Sequence, residues 1–169
     1  MTTTDLTAIE VLGVAVRREM DAALAYHELA SSCTNALAQE RFRLLEQEAH
    51  HHEAMLRARH VELAPGVPFA VPPESAAPGP RAGDVTGCAG LRGALRLALE
   101  AARQAREFYL EAAAEATDLT GRAMLRYLAD VYGRHRMEIE AEYDLVVRYP
   151  HAYDDPRTPW RPESRMSNR

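Results

Sequence analysis

The chain has no lysine: all 20 of its basic residues are arginine. That absence removes a Walker-type phosphate loop and a Schiff-base nucleophile from consideration. Cysteine is nearly as scarce. Cys33 and Cys88 stand alone, too far apart for the paired thiols of a zinc ribbon or a rubredoxin-like iron centre. They read as reduced, structural thiols, although a disulfide between them is geometrically conceivable. No apolar run approaches the roughly 18–20 residues of a membrane span. The opening Met1-Thr2-Thr3-Thr4-Asp5 has neither the basic nor the apolar region of a secretion signal, so a cytoplasmic location is expected. Basic charge is not in excess: a formal net charge of -5 argues against a nucleic-acid partner.

What the chain does have is helical periodicity. Apolar residues recur in steps of three and four over about 5–32, 36–63, 91–116 and 122–148, which predicts four long amphipathic helices. Polar stretches at 31–35 and 118–121 supply short turns, so each flanking pair of helices is expected to be antiparallel. Between the pairs, residues 64–90 contain six of the ten prolines and five of the nine glycines. No helix survives that density, and a connection this long asks for a structural reason. A crossover along the length of a bundle supplies one. The expected architecture is an all-α four-helix bundle over 1–150, followed by an extended tail, 151–169, packed on the bundle near Trp160.

The stripes carry the chemistry. The first reads Ile9, Leu12, Val16, Glu19, Ala23, Tyr26, Ala30, and the second reads Leu44, Glu48, His51, Met55. The third is Leu95, Ala98, Ala102, Ala105, Tyr109, Ala112, Ala116. The fourth is Leu125, Leu128, Tyr132, His135, Ile139, Glu142, Val146. A carboxylate facing a bundle interior costs several kcal/mol unless something compensates it. Glu19, Glu48 and His51 together would be compensated by a metal ion, since Glu48-x-x-His51 puts both side chains on one helix face. Within His50-His51-His52, side chains about 100° apart cannot all reach one ion. His51 is read as the inward one, with His50 and His52 at the surface. His60 is read as a surface residue.

Glu19 with Tyr26 seven residues later, the string Glu46-Gln47-Glu48-Ala49-His50-His51, Phe108-Tyr109, and Arg148-Tyr149-Pro150 ahead of Trp160 resemble the rubrerythrin-like branch of the ferritin-like superfamily. The resemblance implies a bundle with one long crossover. It also implies a buried di-iron or iron–manganese site used in peroxide reduction or ferroxidase-like chemistry. By position it implies Glu19, Glu48 and His51 as ligands and Tyr26 as a tyrosine that hydrogen-bonds a ligand carboxylate. The second half departs from the pattern. Segment 102–109 repeats 19–26, and 129–135 repeats 45–51, but Ala102 and Tyr132 stand where carboxylates are expected and only His135 remains.

Three readings follow. Glu19, Glu48, His51 and His135 form a reduced, mononuclear site for iron, or for manganese or zinc, open to peroxide or oxygen. Tyr132 then adds a phenolate where the iron is ferric, Tyr26 or Tyr109 steadies the ligands, and the electron donor is unassigned. Alternatively the same side chains hydrogen-bond one another in a metal-free, non-catalytic scaffold or partner-binding bundle. In the third reading, two chains exchange their first hairpins to complete one site. A homodimer is the expected assembly.

Overall fold

Asn35 and Asp118 decide where the two hairpins turn. A computed structural model describes residues 8–74 and 90–150. Its helices are α1 (Ala8–Ser32), α2 (Ala36–Leu63), α3 (Gly90–Glu115) and α4 (Leu119–Arg148). The Asn35 side chain accepts from the Ala38 N–H at 3.0 Å and so caps α2. Asp118 caps α4 in the same way, accepting from the Gly121 N–H at 2.6 Å. The α4 helix therefore starts about one turn earlier than its periodicity suggests, because residues 119–121 are inside the helix rather than in the turn. Asp118 also receives Arg59, which ties the end of α2 to the start of α4.

The packing is in pairs, α1 with α2 and α3 with α4. Which ends meet fixes the topology. The starts of α2 (Leu37, Leu44) and α3 (Leu91, Leu95) line one recess with the end of α4 (Leu145, Val146). At the opposite pole the start of α1 (Val11, Leu12) meets the ends of α2 and α3 and the start of α4. Hence α2 and α3 run parallel, and 64–89 is the crossover that this direction requires. Its described part leaves α2 through Ala64-Pro65-Gly66-Val67, with Val67 N–H on the Ala64 carbonyl at 3.1 Å and Gly66 at φ +78°. Proline at the second position and a positive-φ glycine at the third suit a tight turn. Phe69 and Val71 then pack on the core.

That core has two apolar clusters. One holds Val11, Leu12, Val16, Leu56, Phe108, Leu125 and Leu128. The other holds Leu29, Phe42, Leu45, Leu95, Ile139 and Val146. Between them, at about the same height on α1, α2 and α4, lie the buried polar residues Arg18, Glu19, His52 and His135. On α3 this level is occupied by Ala98, Ala101 and Ala102, whose small side chains leave room for larger ones from the neighbouring helices.

The first, third and fourth stripes face inward as the periodicity predicts, but α2 does not. Its buried residues are Ala38, Phe42, Leu45, Ala49, His52, Leu56 and His60, the stripe one residue further on and so turned by about 100°. The reason is bulk: this face buries Phe42, Leu45 and Leu56, whereas the expected one offered only Leu44 and Met55 as apolar members. Leu44, Glu48 and His51 are exposed. His60, expected at the surface, is buried with its ring against Phe69 at 4.3 Å. The beginning of the first predicted helix (5–7), Cys88 and the Trp160 tail lie outside the described residues.

Two glycines test this packing. A Cβ on Gly13 would sit 2.4 Å from the Ala70 carbonyl oxygen of the crossover, whereas on Gly133 it would meet only the flexible Arg106 side chain, at 3.4 Å. Gly13→Ala is expected to cost about 1–3 kcal/mol in urea denaturation. Gly133→Ala is expected to gain up to about 1 kcal/mol, since alanine is the better helix residue.

Candidate metal centre

The centre is built outward from Glu19, whose side chain is fully buried. Each of the four helices brings one donor or acceptor to it. Glu19 itself comes from α1. The ring nitrogen Nδ1 of His52, on α2, lies 3.2 Å from Oε2. Tyr109 on α3 donates its hydroxyl to Oε1, and Tyr132 on α4 donates to Oε2 at 2.7 Å. Arg18, the residue before Glu19, completes the set with Nη1 at 3.1 Å from Oε1.

Arg18 is 1% exposed, so its charge is held in the dry interior. Its Nη2 donates to the Ala101 carbonyl at 3.3 Å. Its guanidinium carbon lies 4.9 Å from the Tyr132 ring centre and 5.6 Å from that of Tyr109, distances at which an aromatic face attracts a cation. The two tyrosine rings stack at 5.8 Å.

The electrostatics follow from these contacts. Burial pushes the Glu19 carboxyl up, but the His52 hydrogen bond and the Arg18 charge outweigh it and hold the group below the usual carboxylate range. Burial and the Glu19 charge raise both Tyr109 and Tyr132 well above the ordinary phenol range, so each keeps its proton and donates it. Tyr132 therefore presents a phenol to Glu19. Burial works against the Arg18 charge, yet Tyr132, Glu19 and Tyr109 more than restore it.

A second contact lies at the edge of this layer. His135 Nε2 is 2.7 Å from Glu48 Oε2, and the Glu48 side chain is 51% exposed. Burial holds the His135 imidazole below the usual histidine range, against the pull of Glu48. Among the described residues, His135 Nδ1 and the Tyr26 hydroxyl are buried without a hydrogen-bond partner. The role implied for Tyr26, bonding a ligand carboxylate, is filled instead by Tyr109 and Tyr132. His51 is exposed and His52 takes the inward position, the reverse of the sequence reading. Glu142, a reserve carboxylate on its stripe, is held by Arg41 at 2.7 Å.

These residues do not fit a two-metal centre around Glu19. Two divalent ions need about four carboxylates, and Ala102 and Tyr132 supply none. Glu19 has about four lone-pair sites, and Arg18, Tyr109, Tyr132 and His52 take them. A divalent ion about 4 Å from the guanidinium would be repelled by about 8 kcal/mol at an effective dielectric of about 20. Among the described residues, no three His, Cys, Asp or Glu side chains converge in ligand geometry. Arg18 was not legible as a site residue. The signal was its place among Ala15, Ala22 and Ala25, a second buried face of α1.

Glu19→Ala strands the buried guanidinium and is expected to cost about 3–5 kcal/mol in urea denaturation followed by circular dichroism. The pH dependence has a definite sign. A carboxyl more acidic in the folded chain stabilises the fold above the unfolded carboxylate pKa, and this contribution is lost as pH falls through the lower folded value. Glu19→Gln is expected to flatten the stability profile below about pH 4.3. An unchanged acid limb would show that Glu19 is not the titrating group.

The chain is similar to a hypothetical protein from Pyrococcus furiosus of known structure, with 28% identity and a TM-score of 0.73 over 86% of this chain and 93% of that one. No curated protein matches it significantly. The rubrerythrin family model matches residues 10–143, a span that takes in most of all four helices and the whole Glu19 centre. The chain belongs to the rubrerythrin family.

Proposed function

We propose that this protein is a metal-independent member of its family, a four-helix scaffold that acts by binding rather than by redox chemistry at its core. The observation that carries this reading is the saturation of Glu19: both oxygens are engaged by side chains from every helix, and the counter-charge is Arg18. Such a network fixes the register of four helices at once, which is a structural role. Binding would be exercised at the surface. Leu37, Leu44 and Val147, each 43–52% exposed, are apolar residues on helix segments near one pole. A homodimer is the first partner proposed.

A second reading has its own observation. The Glu48–His135 contact is open to solvent on one side, and His51 follows Glu48 by one helical turn. Glu48 and His135, with the exposed His51 turned in to join them, would hold a single iron, manganese or zinc ion there, away from Arg18. Such an ion supplies Lewis acidity and, if iron or manganese, one-electron chemistry with peroxide or oxygen. The chain's own contribution would be to hold the ion at the edge of the polar layer. Burial, aided by the Glu19 and Glu48 charges, raises the Tyr26 phenol, so Tyr26 would remain protonated.

Elemental analysis of protein produced with added iron separates the two readings. The scaffold reading expects substoichiometric metal, a melting temperature unmoved by chelator, and a dimer by light scattering. One firmly bound ion per chain that disappears in Glu48→Ala would overturn it in favour of the second.

A further inference from the structure

We infer that Arg18 is a built-in counter-ion that takes the place of a metal at Glu19, and that Arg18 itself, not only the missing carboxylates, closes this centre to divalent cations. The inference rests on the scaffold reading and names the residue responsible.

Three observations carry it. First, the guanidinium occupies a Glu19 oxygen directly, at 3.1 Å, and among the described residues no other charged group touches that carboxylate unless His52 is protonated. Second, its room comes from small side chains. Ala15 and Ala22 flank it on α1, and its Nη2 reaches the α3 backbone at Ala101, beside the alanine that stands at the expected ligand position of α3. Third, its surroundings suit a cation: two aromatic faces, a carboxylate and a backbone carbonyl. Arg18 Nε is nevertheless buried with no partner among the described residues. The pocket thus matches the charge of the guanidinium more fully than its hydrogen-bonding pattern.

A guanidinium cannot be deprotonated at accessible pH, so it excludes a second cation at all pH values where the fold persists. Once it is removed, Glu19 would be a buried anion with His52 Nδ1 beside one oxygen, a carboxylate–imidazole pair able to ligate a divalent ion together with water.

The test uses the full-length chain and cobalt(II) as the probe, read by its visible absorption and by calorimetry. Arg18→Met replaces the charged side chain with an apolar one. This variant is expected to bind cobalt(II) at least about tenfold more tightly than wild type, and to lose that gain when Glu19→Gln is added. If Arg18→Met is unfolded without metal, cobalt(II) is expected to restore its helical circular dichroism. A folded variant with no gain in affinity, or an unfolded one that the metal does not rescue, overturns the inference and leaves the scaffold reading standing. Wild-type binding of cobalt(II) that is abolished by Glu19→Gln overturns both. Wild-type binding abolished by Glu48→Ala but not by Glu19→Gln overturns the scaffold reading alone, and the Arg18→Met comparison still decides the inference.

Discussion

A carboxylate sealed in the middle of a helical bundle has to find a positive partner, and here that partner is the next residue in the chain. Desolvating both Glu19 and Arg18 costs several kcal/mol per ion before any attraction is counted. The cost is offset because neither is left with an ion pair alone. Glu19 also accepts from two phenols and an imidazole, while Arg18 lies over two rings and donates to a backbone carbonyl. The donors come from α2, α3 and α4, and the ions from α1. Sliding any one helix by a turn would break at least one of these bonds, so the polar layer specifies a register that the alanine-rich apolar layers on either side define less sharply.

The same layer explains how a family fold persists with a changed charge pattern. A two-metal centre balances several carboxylates against about four positive charges. In this chain the balance is one carboxylate against one guanidinium. The residues at this level are consistent with one another: Ala102 brings neither charge nor bulk, and Tyr132 brings a hydroxyl that donates to Glu19. Arginine suits the position better than lysine would, because its planar group can face an aromatic ring and donate in two directions.

Much of the architecture was readable from residue order. The spacing on α1, α3 and α4 identified inward faces because each has one dominant apolar stripe, and the proline- and glycine-rich segment marked the crossover. Two features were not readable, for separate physical reasons. On α2 two adjacent stripes each contain a histidine. The choice between them was made by Phe42, Leu45 and Leu56 filling the core, not by the Glu48-x-x-His51 spacing. Arg18 was missed because a long charged side chain ordinarily extends its head to water. Only the three-dimensional neighbourhood shows that the guanidinium turns inward over Tyr132. Asp118 was seen as a turn residue, but the cap it forms moves the start of α4.

A core held by a side-chain counter-ion and a core held by a metal differ in what their stability depends on. Metal binding contributes to folding only while the ion is available and its ligands are deprotonated, so a metal-held core follows metal supply as well as pH. A guanidinium is synthesised with the chain and is always charged. Of the two ions at this centre, only Glu19 can lose its charge, and its surroundings hold its pKa below the usual range. In the scaffold reading proposed above, this layer serves cohesion alone. What remains open to solvent is the Glu48–His135 edge and the apolar side chains near the pole. These are the places where a function separate from holding the helices together can evolve without disturbing the bundle.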